Sequence, residues 1–127
     1  MSRFIILVSL VVGSLSACGD SASSSGSGVT SSKKLSELTS SERADLCSYS
    51  FDASGGAHSK MCGGITIATQ TVADCTSGLA AVTASCTATV DTAESCAEAI
   101  GSDLCNTLSS SDCLALFVCV VGSGDDQ

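Results

Sequence analysis

The side chains with the most chemistry to offer in this chain are its nine cysteines, Cys18 near the start and then Cys47, Cys62, Cys75, Cys86, Cys96, Cys105, Cys113 and Cys119. Structural zinc is held by ligands in close pairs, two to four residues apart. The closest pair here, Cys113 and Cys119, is six apart, so the spacing argues against metal. No Cys-x-x-Cys exists to support thioredoxin-like redox chemistry. Nucleophilic catalysis needs a base, and the single histidine, His58, sits in a Gly/Ser/Ala stretch with no Gly-x-Ser-x-Gly elbow elsewhere. Asp91, Glu94 and Glu98 fall at i, i+3 and i+7 of one helical face. Paired carboxylates of that kind hydrolyse sugars only where aromatic rings hold the substrate, and after residue 17 the aromatics are Tyr49, Phe51 and Phe117 alone. A solvated acidic face is the better reading, and no D-x-D-x-D-G loop marks a calcium site. We therefore expect no catalytic residue, no metal and no cofactor. The eight later cysteines are expected to serve structure, as four disulfides.

Where such bonds form depends on where the chain is sent. Arg3 precedes an apolar run from Phe4 to Val12, followed by the small residues Gly13, Ser14, Ser16 and Ala17. The run is far shorter than the roughly 20 residues that span a bilayer, and it reads as a secretory signal over residues 1–17. At its end Leu15-Ser16-Ala17-Cys18 resembles the lipobox of bacterial lipoproteins at all four positions. The resemblance implies cleavage before Cys18, diacylglycerol on its sulfur and an acyl chain on its nitrogen. Several chains hold a protein on a membrane stably, where a single chain does not. Gly19, in place of an acidic residue after the lipidated cysteine, resembles outer-membrane sorting. The implied location is the cell envelope, with the domain in the periplasm or at the cell surface. The layout as a whole is similar to small cysteine-rich lipoproteins of Gram-negative bacteria, a likeness that carries no catalytic residues with it.

Loss of residues 1–17 leaves 110 residues, room for one compact domain of roughly 85 once low-complexity segments are set aside. Four cations, Lys33, Lys34, Arg43 and Lys60, then face thirteen acids, a net charge of −9. Such a surface repels phosphate and has no basic stripe, which excludes nucleic acid as a partner. With no tryptophan, the core must be built from Ala, Val, Leu, Ile and Cys, each burying little area. Disulfides supply the difference at about 2 to 4 kcal/mol each. Their even number and the export signal support one another. Two function classes are compatible with this composition. One is a non-catalytic envelope module that binds another protein or forms part of the coat; the other is an enzyme or enzyme inhibitor whose site is scattered through the chain.

The elements that position these residues can be read in order. Cys18 to Lys34, nearly all Ser and Gly, reads as a flexible tether, with Lys33 and Lys34 as solvated charges. The domain is expected over residues 35–121, mainly α, with three to four short helices and one β-hairpin; residues 122–127 form an acidic tail. Thr39 and Glu42 make a capping box that starts a helix running to about Ser50, with Ala44, Cys47 and Phe51 inward. Ser59–Cys62 and Ile65–Ala68 flank Gly63-Gly64 as a hairpin. Val72, Cys75, Leu79, Val82 and Cys86 form a helical stripe. Asp91 and Glu94 suggest a second capping box, before a helix that buries Ala93, Cys96, Ala97 and Ile100 and stops at Gly101. The run Cys113–Val121 is read as a helix with Cys113, Leu116, Phe117 and Val120 on its buried face. Antiparallel packing of the second and third helices favours Cys86 with Cys96 and Cys75 with Cys105. Cys113 and Cys119, about 9 Å apart along one helix, are beyond bonding reach of each other. The segment Ala53–Ile67, with His58, Lys60 and Met61, is the place a protein partner is expected to touch.

Overall fold

The computed structural model describes residues 26–121; the signal segment, Cys18, the first tether residues and the acidic tail lie outside the described residues. Helix α1 (Ser40–Ala53) is followed by the strands β1 (Ser59–Cys62) and β2 (Ile65–Ala68), then by α2 (Val72–Ala80), α3 (Val90–Ser102) and α4 (Ser111–Val121). Short 3-10 segments occupy Leu35–Glu37 and Leu104–Leu108. The fold is thus mainly helical with one antiparallel hairpin, as the sequence patterning implies.

The start of α1 follows from its capping box. Thr39 Oγ1 accepts the Glu42 amide at 3.2 Å, and the Glu42 carboxylate accepts the Thr39 amide at 2.8 Å. Two amides that an uncapped helix leaves unpaired are satisfied this way. Lys33 does not stand alone in solvent. Its ammonium donates to both Glu42 oxygens, at 2.9 and 2.7 Å, so that chiefly this bond, with the Thr39 amide, holds the Glu42 carboxyl below its ordinary pKa. The helix runs one turn beyond the expected end and buries Leu46 and Cys47, while Ala44 is exposed. The hairpin has the expected register, Cys62 opposite Ile65 and Lys60 opposite Ile67. Gly63 and Gly64 both take positive φ, 57° and 88°, which a two-residue turn of the twist-matched type requires.

Four readings need correction here. The tether does not extend to Lys34: Val29 and Leu35 are buried in the core, and the chain between them runs alongside the approach to α3. Val90 N donates to Lys33 O, Asp91 N to Ser31 O and Leu35 N to Ala88 O, at 2.9 to 3.0 Å. One apolar side chain amid serines and glycines is enough to fix this arm because the backbone supplies the rest. Second, α2 stops at Ala80, so Val82 and Cys86 belong to the following loop. Hydroxylic residues (Thr83, Ser85, Thr87) dominate that loop, and they favour caps and turns over helix interiors. Third, α3 begins two residues early, with Thr89 as its cap and Thr92 three residues on, their hydroxyls 3.2 Å apart. Asp91 and Glu94 play no part in that cap. Fourth, Gly101 lies inside α3 and does not stop it. A β-carbon there would collide with the Ala53 carbonyl oxygen, so glycine lets the ends of α1 and α3 close on each other.

Helix α1 is the central element, packing on α2 at one side and on α3 at the other, while α3 also carries α4. The core gathers Val29, Leu35, Leu38, Leu46, Cys86, Ala88, Val90 and Ala93, with Leu116 and Cys119 packed against it from α4.

Candidate functional site

All eight later cysteines are paired, as expected, but not as their positions on a two-helix hairpin suggest. The bonds are Cys47–Cys75, Cys62–Cys105, Cys86–Cys119 and Cys96–Cys113. Cys86 with Cys96 and Cys75 with Cys105 are both wrong, because α1 stands between α2 and α3 and takes α2 for itself through Cys47. Cys113 and Cys119 are indeed not joined to each other. They lie two-thirds of a turn apart around α4, so one reaches α3 and the other the loop at Cys86. The 3-10 segment Leu104–Leu108 provides Cys105, which pins the hairpin through Cys62. None of these sulfurs is a thiol, so none is a nucleophile or a metal ligand.

The acidic residues Asp91, Glu94 and Glu98 do not act as a set. Glu94 is buried at 7 % exposure, and its carboxylate accepts the Ser27 amide at 2.9 Å, clasping the N-terminal arm to α3. Glu98 is exposed and accepts the Tyr49 hydroxyl at 2.9 Å, which pushes the phenol pKa up. Asp91 is exposed.

The hairpin disperses the proposed contact residues. His58, exposed, sits before β1 with Nδ1 2.9 Å from the Gly56 carbonyl oxygen. Lys60 is not isolated: its ammonium is 3.0 Å from Asp103, on the C-terminal side of α3. Asp103 also accepts the Cys105 amide, and that bond first, then Lys60, keeps its carboxyl below the usual range. Met61 is 65 % exposed and, one residue along a strand from Lys60, faces the opposite side of the hairpin. Lys60 thus serves the attachment of the hairpin, and Met61 and Ile65 are the large apolar side chains left at its tip.

A shallow groove of about 520 Å³ runs between the Ser85–Ala88 loop and the Ala115–Cys119 side of α4. Hydroxyls, methyls and a disulfide line it, with no histidine, amine or carboxylate. Among the described residues no group of three or more His, Cys, Asp or Glu side chains is disposed to hold a metal ion, and no helix is long and apolar enough to cross a membrane.

Sequence reasoning missed the clasp at Glu94 and the exposed side of α4. Phe117 and Val120, expected inside, are 63 % and 51 % exposed, and the inward side chains are Cys113, Leu116 and Cys119. An all-apolar run has no polar side to mark which face turns to solvent, so only the cysteines could have settled it. Comparison of the chain with protein-family models, with curated proteins and with solved structures finds no match.

Proposed function

We propose that the protein is a lipid-anchored module of the cell envelope, non-catalytic, acting by binding another protein or as part of the coat. The observation that carries this reading is the lipobox Leu15-Ser16-Ala17-Cys18 ahead of a domain with four disulfides. Disulfides of this density persist in oxidising compartments, which is where a lipobox delivers its cargo. The reading assigns no reaction.

Anchoring is tested at Cys18. Intact mass of the membrane-extracted protein is expected to show loss of residues 1–17 and addition of lipid. A Cys18→Ala variant should lose both; normal processing and membrane partition of that variant would refute the anchor.

In this reading the module meets a protein partner through the hairpin, chiefly at Met61 on the face opposite Lys60. Support comes from the exposure of Met61 and Ile65 and from the rigid mounting that Cys62–Cys105 gives the strands. A pull-down with the oxidised chain lacking signal and lipid finds the partner without a guess at its identity. The His58→Ala/Met61→Ala double variant is expected to bind at least about tenfold more weakly, the scale of one lost apolar anchor. Undiminished binding removes the hairpin from the interface.

A further inference from the structure

Of the eight large apolar side chains that the described residues expose, five lie on α4. Leu114, Phe117, Val118 and Val121 are 48 %, 63 %, 69 % and 53 % exposed. They recur at i, i+3, i+4 and i+7, one continuous stripe along α4 and opposite the side that Cys113, Leu116 and Cys119 turn inward. We propose that this stripe is an interface between two copies of the chain, with α4 packed on α4 about a two-fold axis.

Three observations select a second copy as the occupant. The first is charge. The chain from Cys18 onward carries −9, and two copies repel over most of their surface, yet no residue from Cys113 to Val121 is charged. The stripe is therefore the face on which copies can approach closely without burying an ion. A two-fold contact also needs a self-complementary patch, and an unbroken row of aliphatic side chains around one phenyl ring meets that need.

The second is area. These side chains present roughly 400 to 500 Å² of apolar surface, the upper scale of a patch on an ordinary monomer. Covered on both copies, that comes to about 800 to 1,000 Å², the scale of a weak interface. The neutral groove that Val118 lines with Ala115 and Cys119 adjoins the stripe.

The third is the position of the chain entry. Ser27 is held by Glu94, and Cys96, which binds α4 through Cys113, is two residues further on in α3. Two helical residues differ by about 200° in direction, so the arm and α4 lie on opposite sides of α3. The arm thus enters on the side of α3 away from α4, and α4 lacks the lysines and arginines with which interfacial helices hold headgroups.

Sedimentation of the oxidised Gly19–Gln127 chain, which keeps every described contact, tests the proposal from about 1 µM to about 500 µM, the range for an interface of this size. The average mass is expected to rise from one chain to two. Val118→Asp should weaken association at least tenfold, with far-ultraviolet dichroism unchanged and no free thiol; Phe117→Ser, milder in charge, serves if the first variant does not fold. A parent chain that stays monomeric throughout overturns the proposal. So does either folded variant that associates as tightly as the parent, or a monomeric parent that co-sediments with phosphatidylcholine vesicles, which assigns the stripe to lipid.

Discussion

Reduction of the four disulfides is expected to unfold the domain at neutral pH and room temperature. The bonds join cysteines 17, 28, 33 and 43 positions apart. Closing loops of that length destabilises the unfolded chain by about 3 to 4 kcal/mol each in the chain-entropy account, though not additively, because the loops overlap. A domain of this size holds about 5 to 15 kcal/mol in all. Helix α4 is tied down by two of the bonds, Cys96–Cys113 and Cys86–Cys119, beside the half-buried Leu116. The reduced, alkylated chain should show a loss of helical dichroism and no cooperative thermal transition. A reduced chain that still melts cooperatively near the temperature of the oxidised one would show that the apolar core is sufficient.

The second large effect is expected from Leu46→Ala. Leu46 is 1 % exposed, on the buried side of α1, within a core that has few large side chains to close around a void. Removal of a buried leucine side chain costs about 2 to 5 kcal/mol, the higher end where neighbours cannot relax. Neighbours tied by disulfides relax little. The oxidised variant should melt roughly 10 °C or more below the parent. Leu108→Ala, at a position 52 % exposed, should change stability by no more than about 0.5 kcal/mol. Equal melting temperatures for Leu46→Ala and the parent would mean that the covalent network alone determines thermal stability.

What the sequence made legible is what neighbouring residues decide among themselves. Thr39 and Glu42 lie three apart and cap α1 wherever the helix ends up packing; Gly63-Gly64 turns the hairpin by its own backbone preference. The misreadings arise where a distant element decides. Asp91 with Glu94 has the local pattern of a cap, but Glu94 is drawn inside to meet Ser27 of the arm and the helix starts from Thr89. The pairing of the cysteines depends on α1 entering between α2 and α3, a matter of which grooves fit, on which spacing is silent. Val29 has no apolar neighbour in sequence to declare it a core residue. For the candidate site the same holds: the exposed residues of the hairpin could be named in advance, but the bond from Lys60 to Asp103 and the outward stripe of α4 required the packed helices.

The order of the cysteines along the chain has a consequence for biogenesis. Numbered from the first after Cys18, they pair one with three, two with six, four with eight and five with seven. No bond joins successive cysteines, and the last residue needed, Cys119, stands near the end of the sequence. An oxidant that joined thiols in the order in which the chain is made would form four links, every one of them foreign to the native set. Cells that make this protein must therefore either delay oxidation until the helices have assembled or supply an isomerase that exchanges early links for native ones. Its yield in any host becomes a measure of that host's capacity to reshuffle disulfides, more than of its capacity to form them.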